Sequence, residues 1–279
     1  MTLQERHSLR QRDWRAEHGH FQWFAFLNIS ACHVGALLAF RFFTWPAVWV
    51  AVALWVVTAG LGVCVGYHRL LTHRSFETHA WMKRLLTLIG TLAVQGGPSV
   101  WVGTHRLHHQ HSDRPGDPHS PRDDFWWGHA IWLCFFEHLD ARVHAGDLAR
   151  DPWLRRLDQF WFLPAIVLAV ILWWLGGWPW VVWGTFVRTV FVWHVTWAVN
   201  SVSHRWGYRN YDTPDGSQNN VLVALLSFGE GWHNNHHAFP ASARHGLRRW
   251  ELDPAYLFIR ALEGCGLAWN VRKPAPAST

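Results

Sequence analysis

Four stretches of nearly unbroken apolar sequence, at about residues 21–43, 45–67, 160–177 and 179–199, constrain this chain more than any other feature in it. Roughly 20 apolar residues is the length a helix needs to cross a bilayer. In lipid, only helices and closed barrels satisfy their own backbone polar groups. The first two stretches are separated by a tight turn near Arg41 to Pro46, the last two by Gly176, Gly177 and Pro179, so each pair reads as a hairpin. The expected fold is therefore an all-α integral membrane protein of one domain, residues 1–279. It has four transmembrane helices in two hairpins, and a helical cap formed by 68–159 and 200–270.

The turns within the hairpins carry one arginine, Arg41, whereas the segments on the other side hold nearly all the Lys and Arg. That bias places the N-terminus, the cap and the C-terminus in the cytoplasm. Arg6, Arg10, Arg12 and Arg15 precede the first stretch without a cleavage pattern, so a retained N-terminus is expected. Of 23 Trp against 4 Tyr, several (Trp23, Trp45, Trp161, Trp178, Trp180) sit at the ends of apolar runs, the headgroup level of a span. A fifth apolar run, Leu85 to Val102, is interrupted by Gly96, Gly97 and Pro98 and reads as interfacial or re-entrant. The net charge of +6 suits anionic lipid, and no nucleic-acid-binding signature accompanies it. The four cysteines form no CxxC pair, so no disulfide framework is expected.

Histidine, at 21 residues, is concentrated just beyond the ends of the hairpins. The groups are His68 and His73; His105, His108 and His109; and His233, His236 and His237, with His204 four residues after Asn200. In HxxHH the imidazoles fall within one helical turn. His68 and His73, five apart, would splay by about 140° on an ideal helix, so they serve different metals or the second lies at a helix end. Nine imidazoles exceed one ion's coordination shell and divide sensibly over two, and an all-nitrogen set suits Fe, Zn or Cu. Isolated histidines (His7, His18, His20, His138, His144, His245) are expected to be surface or satisfied residues. His33 and His194, inside spans, are expected to hydrogen-bond between helices. His111, His119 and His129 are candidates to orient ligands. Arg188, a cation within the fourth span, is either functional or satisfied by a carbonyl or water.

At these residues the chain resembles the membrane-bound acyl desaturases of the delta-9, stearoyl-CoA desaturase-like type, over about Gly66 to Pro240. His-Arg-Leu-Leu-Thr-His-Arg-Ser-Phe (68–76), His105-Arg-Leu-His-His109 with Asp117-Pro-His119, Asn200-Ser-Val-Ser-His204, and Gly229-Glu-Gly-Trp-His-Asn-Asn-His-His-Ala-Phe-Pro240 carry the likeness. The resemblance implies two iron ions (Fe2+) held by the nine clustered histidines, with Asn200 reaching one ion through water. It also implies an acyl chain in a kinked tunnel lined by Trp101 and Thr196. Two departures bear on the acyl carrier. Gly103 and Thr104 replace an Arg-Asp pair, and Phe136 and Glu137 replace an Arg-Lys pair that faces phosphates in acyl-CoA enzymes. The loss of cations weakens a CoA thioester as substrate, and the ending Gly-Leu-Ala-Trp-Asn-Val-Arg-Lys-Pro resembles bacterial acyl-lipid members.

The implied activity is O2-dependent insertion of a cis double bond, at the delta-9 position, into a saturated acyl chain on CoA or on a membrane lipid. Electrons would come from a separate donor, a ferredoxin or a cytochrome b5-like protein with its reductase. The implied location is the bacterial inner membrane with the active site cytoplasmic. Hydroxylation of an acyl chain or alkane at the same kind of centre is the rival within this chemistry. A histidine-rich metal transporter or sensor is the rival outside it, but it needs a polar path through the spans, where Arg188 would repel cations.

Overall fold

The computed structural model describes residues 20–122, 124–135 and 141–274. The N-terminal arginines, His7, His18, Phe136, Glu137, His138 and the last five residues lie outside them. Among the described residues three helices are long and apolar enough to cross a membrane: Trp23–Phe40, Trp45–Thr72 and Leu163–His204. The first contains α1 (Trp23–Leu37). The second, α2, begins behind Thr44, whose hydroxyl accepts from the Ala47 amide, with Pro46 in the first turn. It runs as an α-helix to Trp55 and as a π-helix over Val56–Thr72.

The third helix is 42 residues long, about twice what a crossing needs. Gly177 interrupts it at φ 62°, a left-handed conformation that glycine adopts without steric cost. A Cβ built on Gly184 would lie 2.8 Å from the Leu172 side chain, so the chain has folded back and the two legs pack side by side. These legs are α7 (Leu163–Val181) and α8 (Arg188–Ser201), with a π-helical turn, Val182–Val187, between them. Ile166, Val167, Val170 and Trp174 of α7, like Phe24, Leu27 and Val34 of α1, are exposed apolar residues facing outward.

Between the hairpins lie α3 (Ala80–Thr91, 12 residues) and α4 (Pro98–His111, 14 residues), each shorter than a span. Helix α3 buries Met82, Leu86 and Gly90 and exposes Trp81, Leu85 and Leu88, the pattern of a helix lying at an interface. It approaches α2 closely: a Cβ on Gly62 would sit 2.7 Å from the Gly90 amide nitrogen. The turn after α3 is tied to α8 at three successive points. Arg188 donates to the carbonyls of Leu92 and Gly184, Trp193 Nε1 to Ala93, and Gln95 Nε2 to the Thr196 hydroxyl. Arg188 is therefore a buried cation satisfied by carbonyls, the second of its two expected roles.

His33 and His194 do join helices. His33 Nδ1–H donates to the Ile29 carbonyl at 2.7 Å, which leaves its Nε2 to accept from His194 at 3.1 Å. His194 in turn accepts from His129 Nε2 (3.0 Å), and His129 Nδ1 meets the Ser201 hydroxyl at 2.8 Å. The cap adds α5 (Phe125–His129), α6 (Pro152–Gln159), α9 (Val221–Leu226), α10 (His233–Ala238) and α11 (Pro254–Gly264). Asp151, Asn220 and Asp253 cap α6, α9 and α11 by accepting from backbone amides. Strand β1 (Glu77–Thr78) pairs antiparallel with β2 (Ala268–Trp269), tying the chain's end to the foot of α2. Tyr67, Leu71, Phe76, Leu86, Val102, Leu154 and Ile259 form the core there, so the last turns of α2 are enclosed by cap.

Candidate metal centre

The π-helical end of α2 brings the first two histidines together. A π turn bonds residue i to i+5, and the His73 amide donates to the His68 carbonyl at 3.1 Å. The two rings thus meet edge to face, with Nε2 atoms 3.0 Å apart, and the splay of about 140° on an ideal α-helix does not arise. Helix α4 supplies His105, His108 and His109, and the short 3-10 turn after α8 supplies His204. Helix α10, only six residues long, supplies the rest. His233, His236 and His237 face inward, while Asn234 and Asn235 face outward as anchors. Asn234 Oδ1 accepts from the amides of Asn210 and Tyr211, and Asn235 Nδ2 donates to the His245 carbonyl and to Glu251.

The nine histidines fall into two groups, each with its ligand atoms within 4.8 Å of one another: His68, His73, His105, His109 and His236; and His108, His204, His233 and His237. Within the first group Nε2–Nε2 separations are 3.2 Å (His68–His236), 3.1 Å (His105–His109) and 3.0 Å (His109–His236). In the second, His204 and His233 are 3.0 Å apart. Ligand nitrogens about 2.1 Å from a metal and at right angles are about 3.0 Å apart, so these spacings are those of a coordination shell.

Four carboxylates behind the rings determine where the lone pairs point. His108 Nδ1 donates to Asp117 (3.0 Å), His204 Nδ1 to Asp113 (2.8 Å) and His237 Nδ1 to Asp215 (2.6 Å). Glu230 Oε2 lies 2.7 Å from His68 Nδ1 and 3.1 Å from His245 Nδ1. A carboxylate accepts only, so His108, His204 and His237 carry their proton on Nδ1 and turn a bare Nε2 inward. Buried Nε2 of His108 and of His237 have no hydrogen-bond partner among the described residues. Leaving such atoms unpaired is costly, and a cation between them removes the cost. The residues therefore fit a two-metal centre.

Charge state agrees with this arrangement at most of the rings, although at His108 burial is outweighed by the facing Asp117, which raises the ring above the ordinary value. Burial, then repulsion from neighbouring rings, pushes His73, His105, His109, His233 and His236 well below the ordinary histidine value, so they stand neutral, as metal ligands must. Burial alone would raise Asp113, Asp117 and Asp215. The imidazole facing each outweighs it and holds all three below the usual carboxylate range.

A cavity of about 260 Å3 ends on both groups, touching His68, His105, His233, Glu230 and Asn200. Its walls include Trp101, Gln95, Thr196 and Trp193, and Gln22, Phe24 and Asn28 near the start of α1. Thr196 and Asn200 are one turn apart on α8 and share a face. Trp101 stacks on His105 with ring centroids 5.2 Å apart, and its Nε1 donates to Gln95.

Asp113, Asp215, Gln95 and His245 are site residues that sequence patterning alone misses. Asp117 and Glu230 lie inside quoted motifs but with no role assigned from spacing. His245, expected at the surface or satisfied, is the latter, fully buried between Arg69, Glu230 and His236 beside the first imidazole group. Of the three candidates to orient ligands, only His119 abuts a clustered ring, stacked 4.4 Å from His108; His129 belongs to the His33–His194 chain.

Comparison with known proteins follows the same lines. The family model for fatty acid desaturase matches residues 43–266. The chain is similar to an sn-1 stearoyl-lipid 9-desaturase of Anabaena variabilis, at 50% identity over 90% of this chain and 93% of the relative. It is similar to an sn-2 palmitoyl-lipid 9-desaturase of Nostoc sp. (strain 36), at 44% over 91% and 92%. An acyl-CoA C20 Delta5-desaturase of Anemone leveillei is 41% identical over 90% of this chain and 80% of its own length.

Proposed function

The chain belongs to the fatty acid desaturase family, an oxidoreductase family, and from that premise we propose that it places a cis double bond at the delta-9 position of a saturated acyl chain carried on a membrane lipid. The delta-9 position and the lipid carrier are named for the cyanobacterial relatives above. The carrier also fits a chain in which Gly103 and Thr104 are buried in α4 and offer no cation to a CoA phosphate. The observation that carries the reading is the meeting of one apolar-walled cavity with two imidazole groups of five and four members.

The nine clustered histidines would hold the metal, with Asn200, which lines the same cavity, as a further ligand through water. Iron fits best, since zinc has no redox chemistry. Two such ions, when bound, supply the chemistry that takes two hydrogens from adjacent methylenes and reduces O2. The reaction balances as the saturated chain, O2, two electrons and two protons giving the alkene and two waters. The electrons come from a separate ferredoxin or cytochrome b5-like donor.

What the chain itself contributes is placement. Trp101, Gln95 and Thr196 line the cavity one to two turns before the histidines, and we read them as the point at which a threaded acyl chain bends. That bend fixes which methylene lies against the centre, and apolar walls keep water out. In the membrane we read α1, α2, α7 and α8 as four spans, with Gly177 at the second far-side turn. The cap and both termini then lie in the cytoplasm, the arginine-rich side.

The test is the fatty-acid profile of a host expressing the protein beside a His108→Ala variant, by gas chromatography with double-bond localisation. A new cis-9 monoene lost in the variant is the expected outcome. Hydroxylated chains would transfer the assignment to the hydroxylase rival. An unchanged profile in a host with iron and a competent donor would refute the proposal.

A further inference from the structure

The two imidazole groups are not equally supported. Three of the four rings in the smaller group have their own carboxylate: Asp117 behind His108, Asp113 behind His204 and Asp215 behind His237. In the larger group one ring of five, His68, has a carboxylate, and that carboxylate is shared. Glu230 also meets Arg69 at 3.1 Å and His245 at 3.1 Å. The larger group is also the more open, with His73, His105 and His109 only partly buried, whereas His237 alone is so in the smaller one.

The three aspartates are themselves pinned. Asp113 accepts from the Gly216 amide (2.7 Å) and the Ser120 hydroxyl (2.7 Å). Asp117 accepts from the amides of Asp113 (2.8 Å) and His119 (3.1 Å). Asp215 accepts from the Ser217 amide (3.0 Å) and the Thr213 hydroxyl (3.0 Å). The first two thus interlock in one loop. Carboxylates so held are rigid, and an acceptor behind Nδ1–H both orients an imidazole and makes it a stronger donor to metal.

Resting on the two-metal reading above, we propose that Asp113, Asp117 and Asp215 are positioning residues dedicated to the four-imidazole position, and that Glu230 with Arg69 serves the five-imidazole position. The two positions therefore have separate supports and can be weakened one at a time. The four-imidazole position, with three charged acceptors behind four rings, is also the more electron-rich per ligand.

The experiment uses the full-length protein in detergent, stripped of metal and titrated with 57Fe(II) without oxygen. Bound iron is counted and Mössbauer spectra are recorded. Wild type should take up two equivalents with two distinguishable doublets. Asn keeps the acceptor oxygen and removes the charge, so Asp113→Asn and Asp215→Asn should each weaken one equivalent about 10- to 100-fold. The same doublet should shift in both variants, and the other should remain as in wild type. Glu230→Gln should act on the opposite doublet. Asp215→Glu, which restores the charge, should recover part of the lost affinity and guards against mistaking misfolding for lost support. Equal weakening of both equivalents in the Asn variants, or no weakening of either, overturns the proposal. A wild-type protein that takes up no iron would instead overturn the two-metal reading beneath it, a result plainly different from either.

Discussion

Replacing Gln95 with Leu should relax the position of the double bond more than it lowers the stability of the protein. Gln95 bridges the two cavity-wall residues to which the proposal assigns the bend: its Oε1 accepts from Trp101 Nε1 at 3.0 Å, and its Nε2 donates to Thr196 Oγ1 at 2.9 Å. Thr196 loses little in the variant, because its hydroxyl still donates to the Val192 carbonyl. Trp101 is left with an indole N–H facing an apolar cavity. Each neutral hydrogen bond contributes about 1 kcal/mol net, so the bend loses about 2 kcal/mol of preference. That is about a 30-fold rise in the population of other wall conformations, taking tenfold per 1.4 kcal/mol. A product that is a single positional isomer in wild type should become a mixture, with minor isomers rising towards 30-fold. Dimethyl disulfide adducts analysed by mass spectrometry give the positions directly. Trp101→Phe keeps the ring over His105 but removes the N–H, and should reproduce about half of the effect. A single isomer at wild-type turnover in both variants would refute the claim that this bridge sets regiochemistry.

Other consequences are simpler to state. Asn235→Ala removes the side chain that holds α10 against His245 and Glu251 and orphans buried partners, so stability should fall by about 3 kcal/mol and bound metal with it; an unchanged melting curve contradicts the anchoring role. His194→Phe breaks the chain through His33 and His129, two bonds of about 0.6 kcal/mol each in membrane. It should lower the melting temperature slightly while metal content stays whole, and loss of metal would show that the chain belongs to the centre. For pH, the five imidazoles driven below the ordinary value of about 6.5 stay neutral when folded while the unfolded chain binds protons. The metal-free protein should therefore lose stability as pH falls through that value, and bound metal should be released over the same direction of change. Denaturation midpoints that are flat between pH 7 and pH 5 would contradict this.

The long apolar helices and the clustering of the nine imidazoles were legible in the sequence because both announce themselves locally, through runs of apolar residues and through HxxHH spacing. The third long helix shows the same legibility, since Gly176-Gly177-Pro179 marks the place where it folds back. The supports were not legible. Asp113 reaches His204 across 91 positions of sequence, and Glu230 reaches His68 across a still wider gap. Only the path of the loops in three dimensions makes those pairs. His245 looked like an ordinary loop histidine because nothing near it in sequence signals that Arg69 and Glu230 close around it. Gln95 was hidden for a different reason: it lies in a turn whose shape is imposed by α8 and not by its own residues.

The π-helical winding at the foot of α2 has a consequence for how this segment tolerates insertion and deletion. Segments between functional groups usually change length freely, because the chain absorbs an added or missing residue in a loop. Between His68 and His73 there is no loop to absorb it. The wider turn needs five steps to return to the same face, and removing any one of Leu70, Leu71 or Thr72 would leave four, the count of an ordinary α turn. Both rings could then still share a face, but the last turn would have to rewind, and Arg69 would leave Glu230 and Asp253. In this stretch the number of residues itself decides whether the two rings meet.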